Sequence, residues 1–167
     1  MEGEQGMQIE MTIRGLMVDP ITNMPIVVLR ESDGSRVLPI WVGVFEANAI
    51  ALQIENVETP RPMTHDLLRT VISDLSGEVA KVVVCDLKEN TFYATIDIQS
   101  PQGTVTIDAR PSDAIALALR TGTQIFVEES VIQNARSVET DNESVDVGRL
   151  QKWLEGLSDD ELGKYKM

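Results

Sequence analysis

Laid on itself at an offset of 67 residues, without a gap, the chain brings Met11 to Ile54 onto Glu78 to Thr121, and strand-like, turn-like and helix-like patterns coincide throughout. The identities include Asp19 with Asp86, Asn23 with Asn90, Ile40 with Ile107, Ala47 with Ala114 and Leu52 with Leu119, and Glu46 falls on Asp113. Alanine bias makes some of these matches cheap, so the letters alone leave both duplication and coincidence open. The echo sets the expected fold class, α+β or mixed α/β: a mixed sheet with packed helices, and an internal duplication of a three-strand-plus-helix unit. The two units would be related by a pseudo-twofold axis, with Glu46 and Asp113 at equivalent helix starts.

Local patterns fill in the units. Met7, Ile9, Met11 and Ile13 alternate with polar residues as in a half-buried strand; beyond Gly15 the apolar parity shifts to Leu16 and Val18, which predicts a bulge at the glycine. Pro25 to Arg30 and Arg36 to Val42 read as strands joined by a turn containing Asp33-Gly34, and Phe45 to Glu55 reads as a helix. Thr64 is the expected N-cap of a second helix whose apolar stripe is Leu67, Leu68, Val71, Ile72 and Leu75. Strands follow at Val79 to Leu87, Thr91 to Gln99 and Thr104 to Ala109, then a helix from Pro111 to Thr121, a strand at Gln124 to Val127 and one or two helical turns to Ala135. This delimits a domain at 7–135, an acidic linker at 136–148 and a helical appendage at 149–167, where Leu150, Trp153, Leu154 and Leu157 form one stripe.

Charge narrows the function. The 167 residues carry a net charge of −13, and the body is acidic as well as the tail. Such a field repels polyanions, so any phosphate chemistry needs a local arginine cluster or bound cations. No apolar run approaches the roughly 20 residues of a membrane span, and the acidic N-terminus is unlike a signal peptide. Cys85, the single cysteine, reads as a buried inert thiol. A cytoplasmic protein without membrane contact is expected.

Phosphate loops, nucleophile elbows and paired-cysteine metal sites are missing, and with one histidine any metal site must be built mainly from carboxylates, which favours Mg²⁺ or Mn²⁺. Two segments carry candidate chemistry. In Arg61-Pro62-Met63-Thr64-His65-Asp66-Leu67, His65 lies at the edge of the helix's apolar face and Asp66 nearly opposite it. In Asp108-Ala109-Arg110-Pro111-Ser112-Asp113-Ala114, a strand ends and a helix begins, with Asp108 opposite in parity to Val105 and Ile107. The plainer reading of both is structural: a cap and a surface pair in the first, an Asp108–Arg110 pair locking the corner in the second.

These two runs, extended to Leu119 in the second, resemble the bifunctional nuclease family of bacteria and plants, as does Leu38-Pro39-Ile40-Trp41-Val42-Gly43 with Glu46-Ala47. The likeness spans roughly Met7 to Ala135 and implies a compact α/β domain and a nuclease active on RNA and DNA, as attributed to the plant members. It supplies no catalytic residues, so the site expectations rest on chemistry. Asp108, Asp113 and Glu46 would hold a divalent cation, Mg²⁺ or Mn²⁺; Asp108 together with His65 and Asp66 would be catalytic, His65 moving the proton. Arg61, Arg110 and Ser112 would bind the substrate phosphate. The alternative is a noncatalytic anion-binding or regulatory oligomeric module. Because the helix from Pro111 is apolar nearly all round, a homodimer is expected to cover it.

Overall fold

The structure, a computed structural model, describes residues 6–34 and 36–137. The expected linker, apart from its first two residues, and the appendage lie outside the described residues. Eleven elements follow in order: β1 (Gln8–Val18), β2 (Pro25–Glu31), β3 (Val37–Trp41), α1 (Val44–Ile54), α2 (Thr64–Asp74), β4 (Glu78–Lys88), β5 (Thr91–Ser100), β6 (Gly103–Ala109), α3 (Pro111–Thr121), β7 (Ile125–Glu128) and α4 (Glu129–Ser137). The fold is α+β. Seven strands form one mixed sheet in the order β3-β2-β1-β7-β4-β5-β6, with β7 parallel to β4 and every other pair antiparallel.

In each half the first strand lies beside β7 and the third at the outer edge, and α1 and α3 occupy the same span under the offset. The registers differ. Ile40 pairs with Val27, whereas Ile107, its counterpart, pairs with Ile96 and not with Ala94. A slip of two residues keeps every side chain on its face, so the longer β2–β3 connection and the short β5–β6 turn are both compatible with one core. The bulge expected at Gly15 is present between Ile13 and Gly15.

One face of the sheet carries the main core. Leu16, Val27, Leu29, Leu38, Ile40, Val82, Val84, Ala94 and Ile96 join Ile50 of α1, Ile115 and Leu117 of α3, and Val131 and Ile132 of α4. On the other face Met17, Ile26, Val28 and Val37 form a smaller cluster beside Trp41. Alternation along the strands produces this division, as period two requires. Asp19 ties the β1–β2 turn to β3, its carboxylate accepting from Ile21 N at 2.8 Å and from Trp41 Nε1 at 2.9 Å.

Two expectations are corrected. The N-cap of α2 is Met63 and not Thr64, which is the first helical residue; Asp66 Oδ2 accepts the Met63 N–H at 2.9 Å. The apolar stripe of α2 is mostly outside the core: Leu67 is 57% exposed and Leu75 75%, and the buried contacts come from His65 and Ile72. The helix meets α3 through its polar edge, and Gly77 sets how closely the chain returns to the sheet, since a Cβ there would stand 3.0 Å from Ile98 Cγ2 and 3.1 Å from the Ile72 carbonyl.

Candidate functional site

Helix α3 is the structural centre of the site. Pro111, Ile115, Ala116, Leu117 and Ala118 are buried, and α1 and α2 both pack against it. The cover expected from a second subunit is therefore supplied within the chain. Small side chains at Ala114, Ala116 and Ala118 keep this helix close to its neighbours.

At its N-terminus the structure assembles four of the expected residues into one polar chain. His65 Nε2 lies 2.9 Å from Asp113 Oδ1. Arg110 donates through Nε to Asp113 Oδ2 at 2.9 Å, and its Nη1 meets Glu46 Oε1 at 2.9 Å. Glu46 and Asp113, equivalent under the offset, are thus bridged by one guanidinium. Asp113, and then Glu46, raise the pKa of Arg110 above its ordinary value. The imidazole is largely enclosed, with its side chain 10% exposed, whereas Arg110 is 64% exposed and retains N–H groups beyond these pairs.

Asp66 points away from this chain of contacts. Its Oδ1 accepts from Arg120 Nε at 2.8 Å. Arg120, whose side chain is 1% exposed, also donates to the Ala116 carbonyl at 2.8 Å and to the Ala49 carbonyl at 3.0 Å, so one buried cation joins α1, α2 and α3. The Met63 N–H foremost, and then Arg120, hold the Asp66 carboxyl below its ordinary pKa despite the opposing effect of burial.

Asp108 stands apart. It pairs across the sheet with Thr95, and by alternation it leaves the face opposite the core that Ala94 and Ile96 enter. It is exposed, and the ion pairs of Arg110 are with Asp113 and Glu46 in place of the expected Asp108–Arg110 pair. A shared cation would need carboxylate oxygens within about 2 to 2.5 Å of one point. Among the described residues no three His, Cys, Asp or Glu side chains are grouped to hold a metal. Asp108, Asp113 and Glu46 do not fit that centre: two of them are held by Arg110, and the third is on another face.

One cavity adjoins the Asp66–Arg120 pair and another includes Arg110 of the polar chain. The first, about 320 Å³, is lined by Thr59, Arg61, Met63, Asp66, Arg69 and Arg120 among others. The second, about 260 Å³, lies where the ends of β3 and of the β4–β5 turn meet the start of α3, and includes Ser112.

The chain matches the bifunctional nuclease domain over residues 27–140, about two thirds of its length. It belongs to the bifunctional nuclease domain family. An uncharacterized protein of Mycobacterium tuberculosis is 40% identical over 162 residues, covering 92% of this chain and 97% of the relative. Bifunctional nuclease 2 of Oryza sativa subsp. japonica is 31% identical over 121 residues, 69% of this chain and 37% of the plant protein. Bifunctional nuclease 1 of Arabidopsis thaliana is 28% identical over 100 residues, 58% and 31% respectively. The chain spans about a third of these plant relatives. No helix among the described residues is long and apolar enough to cross a membrane.

Within this member of the family, several residues at the site carried little sequence signal. Arg69 lines the larger cavity and donates to the Arg120 carbonyl at 3.1 Å, while Trp41, Asn90 and Phe92 line the smaller one. Arg120 could have been found: a lone arginine in a helix apolar all round requires a buried acceptor.

Proposed function

We propose that this protein is a nuclease that hydrolyses phosphodiester bonds in RNA and DNA, with His65 and Asp113 as the proton-handling pair and Arg110 as the phosphate-binding residue. The carrying observation is the 2.9 Å approach of His65 Nε2 to Asp113 Oδ1 beside an exposed guanidinium. Asp113 as a carboxylate accepts the Nε2 proton, which leaves Nδ1 as the basic nitrogen of the neutral ring. Water is the nucleophile common to RNA and DNA; the imidazole takes its proton as the water oxygen bonds to phosphorus, the P–O bond to the leaving sugar oxygen breaks with its electron pair going to that oxygen, which takes a proton from solvent, and Asp113 supports the positive ring that results. Arg110, with free N–H groups, stabilises the charge gathering on the phosphoryl oxygens.

The Mg²⁺ or Mn²⁺ expected from the sequence has no fitting cradle in Glu46, Asp108 and Asp113, so no step is routed through it. A second reading, a noncatalytic module that binds an anion, is favoured by Arg61 and Arg69 in the larger cavity. His65→Gln separates the two, because a glutamine amide still donates toward Asp113 but cannot carry the proton. Purified His65→Gln is expected to keep its melting temperature and lose roughly 10²- to 10⁴-fold in kcat. Undiminished cleavage in that variant, or cleavage that separates from the wild-type protein on a further column, overturns the mechanism or the activity respectively.

A further inference from the structure

The smaller cavity has a chemistry distinct from the polar chain at its border. Phe92, Asn90, Arg110 and Ser112 line it, and Trp41 borders it from the end of β3. At about 260 Å³ it lies just under the roughly 300 Å³ at which drug-sized ligand sites begin, a size for one heterocycle. Its walls are fixed. Trp41 is anchored through Nε1 to Asp19, whose carboxyl is raised by burial but held below its ordinary pKa by Trp41, Ile21 and Thr22 together. Phe92 packs against the main core, and Asn90, left-handed at φ 63° in the β4–β5 turn, is among the lining residues. Arg110 is common to this cavity and to the pairs with Asp113 and Glu46.

Resting on the nuclease reading above, we infer that this cavity takes a nucleobase of the substrate strand, stacked against Phe92 beside the phosphate held by Arg110. A chain of net charge −13 gains little from long-range attraction to a polyanion. A neutral base is the part of a nucleotide that such a protein can bind without that repulsion, and aromatic faces accept any base. The Asn90 amide offers a donor and an acceptor to the base edge. The strand enters with that base out of its stack, as other base-handling enzymes require.

The test is equilibrium binding to the whole chain, followed by NMR shifts, of adenosine 5′-monophosphate against ribose 5-phosphate, which carries the same phosphate without the base. The expected result is at least tenfold tighter binding of the nucleotide, a preference that falls close to unity in Phe92→Leu and persists in Phe92→Tyr. Because leucine keeps the apolar contact with the core, the variant is expected to fold, and its melting curve checks this; Thr91→Trp, which crowds the cavity from an exposed position, gives the same loss by a second route. Equal affinity for both ligands, binding of neither, or a preference untouched by Phe92→Leu and Thr91→Trp overturns the proposal. A base preference without any cleavage leaves the pocket standing and removes the nuclease reading instead.

Discussion

Asp66 and His65 are adjacent in sequence yet serve different partners on α3: His65 lies 2.9 Å from Asp113 near its start, and Asp66 receives Arg120 at 2.8 Å near its end. The hundred-degree step between helical neighbours sends the two side chains to separate ends of the same interface. One pair borders the exposed Arg110, and the other closes over a buried arginine.

That difference predicts separable phenotypes for the two residues. Asp66→Asn removes the charge facing Arg120 and is expected to lower stability by about 2 kcal/mol, since two backbone carbonyls still hold the guanidinium. A urea titration reads this as a lower midpoint at unchanged slope. Cleavage per folded molecule should stay within about twofold of wild type; a larger loss would place Asp66 in the chemistry.

Acid should destabilise the protein through a small set of carboxylates. Hydrogen bonding by Arg36 holds Glu31 below its ordinary pKa, and Asp19 and Asp66 are lowered as well. A carboxyl lowered in the folded state contributes stability that is complete above its unfolded pKa, near 4, and is lost as pH falls through the depressed value. Urea midpoints are expected to be level from about pH 5 to 7 with respect to these groups and to decline below about pH 4. Asp19→Asn should make that acid decline shallower, and an unchanged slope would remove Asp19 from the account.

Asp108 tests the cation. Exposed and on the face opposite the core, it is expected to tolerate Asp108→Asn with stability changed by no more than about 0.5 kcal/mol and cleavage within about twofold. The same pair of proteins, assayed with and without chelator and with Mg²⁺ restored, decides the role of the metal. A chelator-sensitive rate that also collapses in Asp108→Asn would restore the carboxylate centre expected from the sequence.

The order of strands and helices was legible because it rests on local physics. Period-two alternation marked β1 and β5, Gly15 marked the bulge, and Pro111 opened α3 where its missing N–H costs nothing. The apolar face of α2 was legible as a face but not as a buried one. Amphipathicity reports which side chains could be buried together, while tertiary packing decides whether a neighbour lies there, and α2 spends its contacts on His65, Asp66 and Ile72.

By itself the sequence determined the strand and helix pattern, the acidity and the residue types available for chemistry, since these follow from composition and from spacing along one chain. Tertiary structure decided their partners. That Arg110 takes Asp113 and Glu46 instead of Asp108 follows from which side of β6 each residue leaves and from how closely α1, α2 and α3 approach. Contacts that join different elements depend on distances of a few ångströms between segments far apart in the chain, as with His65 and Asp113, 48 residues apart, and local periodicity carries no information about those distances.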